Sequence, residues 1–216
     1  MNIIYFLLFS VCVFLCALIG GKRFRNTTLY ALAIGGVVNA NFFHAGNYPI
    51  SCFGLPFGID SIIYTLFIFC VVIMFIKEGK GQAYLLAISS IVAIMFSAVM
   101  QLVSDILSKG SSLDVWLTFL TFTISALASI VAVIAMLELL EKLKTKVNKY
   151  TLLTIGILVV TIINTLIYYS SSLLLRGIPT NIGIMLLTSF IGKFIALLCA
   201  LFTLKLINTY DKKHSK

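Results

Sequence analysis

The sequence has few charged residues and little that supports chemistry in water. Only 11% of its 216 residues are charged and seven are acidic, whereas 61% are hydrophobic. A soluble domain is typically about a quarter charged. No polar stretch between the hydrophobic runs is long enough to form a soluble domain. The sequence therefore argues against a Rossmann or P-loop unit, nucleic-acid binding and catalysis in a soluble domain.

Residues that bind metals or form disulfides are also scarce. The five cysteines include no CxxC pair, and the two histidines, His44 and His214, lie far apart in the sequence. Asp60 and Asp105 have no partner acid three or four residues away. We therefore expect no metal, cofactor, disulfide or carboxylate pair, and no enzyme activity.

Long hydrophobic runs dominate what is present, and the mean hydropathy is +1.11. A membrane-spanning helix needs about 20 apolar residues. Seven stretches qualify, covering residues 2–21, 28–45, 59–77, 83–107, 115–140, 150–175 and 181–207. The first has no basic region ahead of it and is interpreted as a retained span, not a signal peptide. The predicted fold is one all-α domain, residues 1–216: a polytopic transmembrane bundle of about seven helices, or six if the short second stretch is re-entrant.

Basic residues are distributed unevenly between the two sides of this predicted bundle. Thirteen follow alternate spans on one side, Lys109 and Arg176 lie on the other, and Lys193 lies within a span. Cytoplasmic loops of membrane proteins are enriched in Lys and Arg. The pattern predicts a multi-pass protein of the cell membrane, with its N-terminus outside and its C-terminus in the cytoplasm. The net charge of +9 reflects this orientation and not a nucleic-acid partner.

Lys193 is the only charged residue deep inside a hydrophobic stretch, within 182–204. A charge at the bilayer midplane costs roughly 2.5–3.5 kcal/mol on insertion scales. It is tolerated where it faces the protein interior or a wet cavity. Lys193 is therefore a candidate ligand-binding residue, and the alternative is a structural lysine that ties helices together.

Other polar residues within the predicted spans extend this candidate site. Polar groups in a bilayer mark helix contacts or solute paths. The predicted substrate-binding set is Asn39, Asn41, His44, Gln101, Asn164, Tyr168 and Lys193. The small residues Thr188, Gly192, Ala196 and Ala200 form a stripe beside Lys193 that is equally typical of close helix packing. The turn-rich apolar segment 46–60 is expected to cap the external mouth of the site.

Several short motifs resemble a known family. They are Phe53-Gly54-Leu55, Ser61-Ile62-Ile63-Tyr64 and Lys77-Glu78-Gly79-Lys80, followed by Met100-Gln101, Asn164-Thr165 and Gly192-Lys193-Phe194. In these the chain resembles the VUT family, membrane proteins described as vitamin-uptake or queuosine-precursor transporters.

The resemblance implies a helical carrier with a lysine in its last helix. The chain departs from the family pattern at Val72, Ile76 and Asn164, where the family has acids. Such acids usually couple transport to protons or cations, so the departures predict altered or absent proton coupling.

The leading hypothesis is a membrane transporter or solute-binding protein for a small vitamin-like or heterocyclic solute. One alternative is a non-transporting sensor, and another is a substrate-binding subunit of the energy-coupling-factor type that needs an energising partner. A structural membrane subunit is a third and weaker reading. Expected partners are the lipid bilayer and the solute, with a second copy or an energising protein as further candidates and no nucleic acid.

The distribution of basic residues generates a test of topology. A reporter fused after Lys216 should be active only in its cytoplasmic form, since 13 basic residues lie on the predicted inner side and 2 on the outer. The measurement pairs a cytoplasm-active reporter with one that requires export. Activity of the exported reporter would show that the orientation or the number of spans is wrong.

Overall fold

The computed structural model describes residues 21–45, 49–52, 55–176 and 182–214. Six helices and one short hairpin follow in the order α1 Gly21–Ala45, β1 Pro49–Cys52, β2 Leu55–Gly58, α2 Ile59–Glu78, α3 Lys80–Lys109, α4 Leu113–Leu143, α5 Lys149–Arg176 and α6 Ile182–His214. The helices fall on the second to the seventh predicted stretches, which confirms the helical prediction for this part of the chain. The first predicted span, 2–21, lies almost wholly outside the described residues.

Short connections with defined caps separate the central helices. Gly79, with φ of 91°, is the single residue between α2 and α3, and Gly110, with φ of 77°, ends α3. Both angles lie in the left-handed region, which glycine adopts without steric cost. The Ser112 hydroxyl accepts from Val115 N at the start of α4, and Asn148 Oδ1 accepts from Thr151 N at the start of α5. These tight turns make neighbouring helices antiparallel.

The segment predicted as a cap contains a two-stranded hairpin, which the all-α prediction did not include. β1 and β2 pair antiparallel, with Pro49 opposite Gly58 and Ser51 opposite Pro56. Proline donates no ladder hydrogen bond, and both strands are edge strands, where proline is tolerated. β2 contacts α6, so the hairpin lies against the helix that carries Lys193.

α2 is the central helix of the bundle. From Ile63 to Phe75 every side chain except Tyr64 is buried, and most are completely inaccessible. It contacts α1, α3, α5 and α6. A helix that is apolar on all sides is typical of a fully enclosed element.

The outer helices bury one face and expose large apolar side chains on the other. On α3 the exposed row is Leu85, Ile88, Val92, Phe96, Val99, Met100, Val103 and Leu107. Exposed apolar surface of this extent is typical of a surface that contacts lipid. In the described part of the chain, four segments are long and apolar enough to cross a membrane: Lys80–Lys109, Leu113–Leu143, Lys149–Ile167 and Leu186–Thr209.

α5 packs closely against α2 at Gly156. A Cβ atom built on Gly156 would lie 2.8 Å from Val72 Cγ2 and 3.3 Å from Met136 Sδ. Real Cβ atoms essentially never show the shorter of these distances. The absence of a side chain at Gly156 therefore permits the contact between the two helices.

This close approach generates a stability prediction for Gly156→Ala. Overpacking a well-packed core costs about 1–3 kcal/mol, which exceeds the ~0.5–1 kcal/mol that alanine gains over glycine in a helix. The thermal midpoint of the purified protein in detergent should fall. Adding Val72→Ala removes the clashing methyl groups and should recover part of the loss.

Gly35→Ala is the matched control. Gly35 lies inside α1, and nothing lies within 4 Å of a Cβ built there. Its thermal midpoint should be unchanged or raised. An equal fall in the thermal midpoint of Gly156→Ala and Gly35→Ala would show that α2 and α5 are not in close contact at Gly156.

Candidate functional site

Lys193 lies on the buried face of α6 and contacts α5. Its Nζ donates to Thr165 Oγ1 over 2.7 Å, and the residue is 9% exposed. Thr188, Gly192, Ala196 and Ala200 are buried on the same face, as the predicted small-residue stripe requires. These small side chains let α6 approach its neighbours and bring the lysine into the bundle.

A second polar contact joins α4 to α5. The Ser129 hydroxyl donates to Asn164 Oδ1 over 3.4 Å, a long hydrogen bond. The Tyr64 hydroxyl of α2 lies near the Ser129 hydroxyl, without reaching hydrogen-bond geometry. Asn164 and Thr165 are adjacent on α5, so the two contacts leave that helix about 100° apart.

The two polar contacts lie at one level of the bundle. Ser129 is beside Asn164, and Lys193 is beside Thr165. Val72 lies beside Gly156, eight residues before Asn164. On α2, which runs antiparallel to α5, Tyr64 lies eight residues before Val72. Tyr64 and Asn164 are therefore both displaced in the same direction from the Val72–Gly156 contact, by about 12 Å at 1.5 Å per residue. We call Tyr64, Ser129, Asn164, Thr165 and Lys193 the polar layer.

Three buried hydroxyl groups at or near this level have no hydrogen-bond partner in the described part of the chain. They belong to Tyr64, Ser90 and Thr161. Thr161 precedes Thr165 by one helical turn and is 4% exposed. Leaving a buried hydroxyl unpaired costs about 1–3 kcal/mol. Such groups are typical of interiors that hold a bound water or a polar ligand.

Gln101 lies apart from the polar layer. Its Nε2 donates to Asp105 Oδ2 over 3.2 Å, and Asp105 pairs with Lys109 over 2.8 Å. The contact between Tyr84 and Glu138 fixes the register of α3 against α4. By that register Gln101 is about 12 Å nearer the hairpin end than Ser129. Its role in substrate binding stays a prediction.

The other predicted binding residues cannot be placed. Asn39, Asn41 and His44 lie on α1 and Tyr168 lies on α5, but their side chains are outside the described part of the structure. Of the predicted set, the polar layer brings together Asn164 and Lys193.

The polar layer also contains residues that are not in the predicted substrate-binding set. Tyr64 was read only as part of a family-like motif, and Ser129 is a hydroxyl in an otherwise apolar run. The weak signal for Tyr64 was its depth, five residues inside α2, where an interfacial tyrosine would lie at the helix end. Ser129 carried no periodic signal.

The VUT pattern has acids at the positions of Val72, Ile76 and Asn164 in this chain. Val72 and Ile76 lie outside the polar layer, and Asn164 is an amide within it. Val72 is completely buried against Gly156, and Ile76 is partly buried against the same core. Val72 lies about 12 Å from the polar layer along the bundle axis, toward the end that carries most lysines. An apolar contact therefore occupies the level at which the family pattern has a charge.

The chemistry available in the polar layer is hydrogen bonding. The Lys193 ammonium is a donor only, whereas the hydroxyls and the Asn164 amide both donate and accept. Among the side chains that the structure describes, no three His, Cys, Asp or Glu residues come together to hold a metal ion. The arrangement suits recognition of a polar solute that has at least one strong acceptor.

Comparison with known proteins adds no identification. No family model, curated protein or solved structure matches this chain. The resemblance to the VUT family stays a prediction, and the functional argument depends on the residues described above.

Two buried threonines of α5 provide a test of the lysine contact. Thr165→Val removes the acceptor 2.7 Å from Lys193 Nζ. A buried charge that loses a hydrogen-bond partner should lower the free energy of unfolding by about 1–3 kcal/mol. Thermal unfolding in detergent measures the effect.

Thr161→Val is the matched control, one turn away on the same helix. Its hydroxyl has no partner, so replacement by a methyl group should be neutral or stabilising. An equal loss of stability in both variants would mean that packing, and not the hydrogen bond to Lys193, decides the outcome at position 165.

Proposed function

We propose that the protein is a multi-pass membrane protein that binds, and most simply transports, a small polar solute. The observation that carries this proposal is Lys193, a lysine buried in the middle of a long apolar helix beside a hydroxyl group. In this proposal the six described helices and the stretch 2–21 cross the cell membrane, with the C-terminus in the cytoplasm. Intramembrane ionisable residues are rare and usually mark substrate or ion paths.

The polar layer is the proposed binding site. Lys193 donates to an acidic or carbonyl oxygen of the solute, and Asn164 recognises a polar edge that both donates and accepts. Tyr64, and Thr161 one turn before Thr165, supply hydroxyls that have no hydrogen-bond partner among the described residues. Such a set suits a heterocyclic solute with carbonyl and N–H groups, which agrees with the class of substrate that the VUT resemblance implies.

The proposed transport does not depend strongly on the proton gradient. A proton-coupled carrier normally uses a buried acid that gains and loses the proton. In this chain Val72, Ile76 and Asn164 stand where the family pattern has acids. The acids whose side chains are described, Glu78, Asp105, Asp114, Glu138 and Glu141, all lie toward helix ends.

Ligand binding can be tested by thermal unfolding of the purified protein with vitamins, nucleobases and deazapurines. A ligand present at 100 times its Kd stabilises the native state by about 2.7 kcal/mol. Lys193→Met should fold as well as the unmodified protein, since it removes a buried charge while keeping the length of the side chain. Its affinity for the identified solute should fall roughly ten- to hundredfold, the value of one charge-assisted hydrogen bond.

Lys205→Met is the control for this variant, because Lys205 is exposed on the same helix. It should bind the solute with unchanged affinity. If Lys193→Met cannot be expressed, the lysine is a structural tie. If it binds normally, the lysine lies outside the solute site.

Coupling can be tested by uptake into sealed vesicles once a solute is known. Vesicles with and without an uncoupler should accumulate the solute to the same extent, whether or not they accumulate it against its gradient. Collapse of accumulation on adding uncoupler would contradict the proposal. If the protein alone binds the solute but does not take it up into vesicles, the result would favour a sensor or a substrate-binding subunit of a larger transporter.

A further inference from the structure

One end of the bundle is strongly basic, and we call it the lysine-rich end. It is formed where α2 meets α3, where α4 meets α5, and where α6 ends. Contacts between Lys80 and Glu138 and between Lys149 and Asn208 hold these helix ends together. Its described side chains include three glutamates and seven lysines: Lys77, Lys80, Lys142, Lys144, Lys146, Lys149 and Lys205.

Lys149 differs from the paired lysines at this end. Glu138 pairs with Lys80 over 2.7 Å, and Glu141 pairs with Lys144 over 2.5 Å. The Lys149 ammonium instead donates to Asn208 Oδ1 over 2.6 Å, and Asn208 Nδ2 donates to the Tyr150 hydroxyl over 3.3 Å. Because Asn208 and Tyr150 are uncharged, this chain of hydrogen bonds fixes the position of the ammonium without neutralising it.

The Lys149 contact lies at one end of a seam between α5 and α6. These two helices contact each other less extensively than α4 and α5 do. Polar contacts join them at two levels, Lys193 with Thr165 and Lys149 with Asn208. Sixteen residues of α5 separate the two levels, or about 24 Å.

Both helices expose apolar side chains between these two levels. On α5 they are Leu158, Ile162 and Leu166, and on α6 they are Phe194, Leu198 and Phe202. Each row follows its own helix at four-residue spacing, so each forms a continuous apolar surface along that helix. The rows run from the middle of the bundle toward Lys149.

We propose that the lysine-rich end of this seam binds the headgroup of an anionic phospholipid. The Lys149 ammonium contacts the lipid phosphate, Tyr150 and Asn208 supply neighbouring hydrogen-bonding groups, and the acyl chains lie against the exposed apolar rows of these helices. Basic pockets between membrane helices are known to hold anionic headgroups. A free phosphate would leave the apolar rows unused, and a second copy would bring two basic ends together. The proposal does not depend on the identity of the transported solute.

The test measures thermal unfolding of the full chain in detergent as phosphatidylglycerol or phosphatidylcholine is added. The unmodified protein should be stabilised by phosphatidylglycerol at lower concentration than by phosphatidylcholine. Lys149→Gln should weaken phosphatidylglycerol binding about fivefold or more, because one basic residue at a membrane surface is worth about 1 kcal/mol. Lys149→Arg should keep the binding.

Lys144→Gln is the matched control. Its lysine is already paired with Glu141, so binding should change less than twofold. Asn208→Asp is a second variant, which places a carboxylate beside Lys149 and should weaken binding by a similar factor even if Lys149→Gln fails to fold.

Three results would overturn the proposal. Equal weakening by Lys149→Gln and Lys144→Gln would mean diffuse attraction to the basic surface. Equal stabilisation by phosphatidylglycerol and phosphatidylcholine would mean that no anionic headgroup is recognised. Equal stabilisation by soluble glycerol phosphate would mean a site for a free anion.

Discussion

Close packing around α2 is the constraint on which the rest of this structure depends. In a bilayer, burying an apolar helix gains nothing from the hydrophobic effect, because lipid tails are as apolar as leucine. α2 is nonetheless enclosed from Ile63 to Phe75. Its position must therefore come from van der Waals contact at short range, which small residues permit. Gly156 against Val72 is the clearest case, and the buried Ala196 and Ala200 of α6 belong to the same core. The helices α1, α3, α5 and α6 are fixed relative to one another because each contacts α2, and α4 packs against α3 and α5.

This packing divides the bundle into two halves with different chemistry. On the side of the polar layer toward the lysine-rich end, the side chains around Gly156 are apolar: Val72, Met136 and Leu140. About 12 Å toward the hairpin, Tyr64, Ser129 and Asn164 replace these side chains at the same helix contacts. β2 lies against α6 on that side. In the proposed function, a polar solute meets the hydrogen-bonding groups of the polar layer in the half under the hairpin, and passage beyond Gly156 requires these apolar contacts to part.

The sequence predicted the helices well and their arrangement poorly, for a physical reason. Apolar runs such as 83–107 mark α3 to within three residues, since a span must be long and hydrophobic to cross a bilayer. Hydropathy cannot separate a lipid-facing helix from an enclosed one, because both environments are apolar. The central position of α2 was therefore not predictable. Spacing did predict the buried small face of α6, whereas the meeting of Ser129 with Asn164 depends on a register between helices that no local pattern contains.

The partner of Lys193 connects the packing to the proposed function. Desolvating an ammonium group is expensive, and the hydrogen bond to the Thr165 hydroxyl compensates part of the cost. A solute with an anionic or carbonyl oxygen competes for the same ammonium with a stronger acceptor than Thr165. The hydrogen bond between Lys193 and Thr165 joins α6 to α5. These two helices contact each other less extensively than α4 and α5 do. A solute that displaces Thr165 therefore removes the hydrogen bond described at one of the two levels where polar contacts join these helices, so solute binding changes the forces that hold α6 in place.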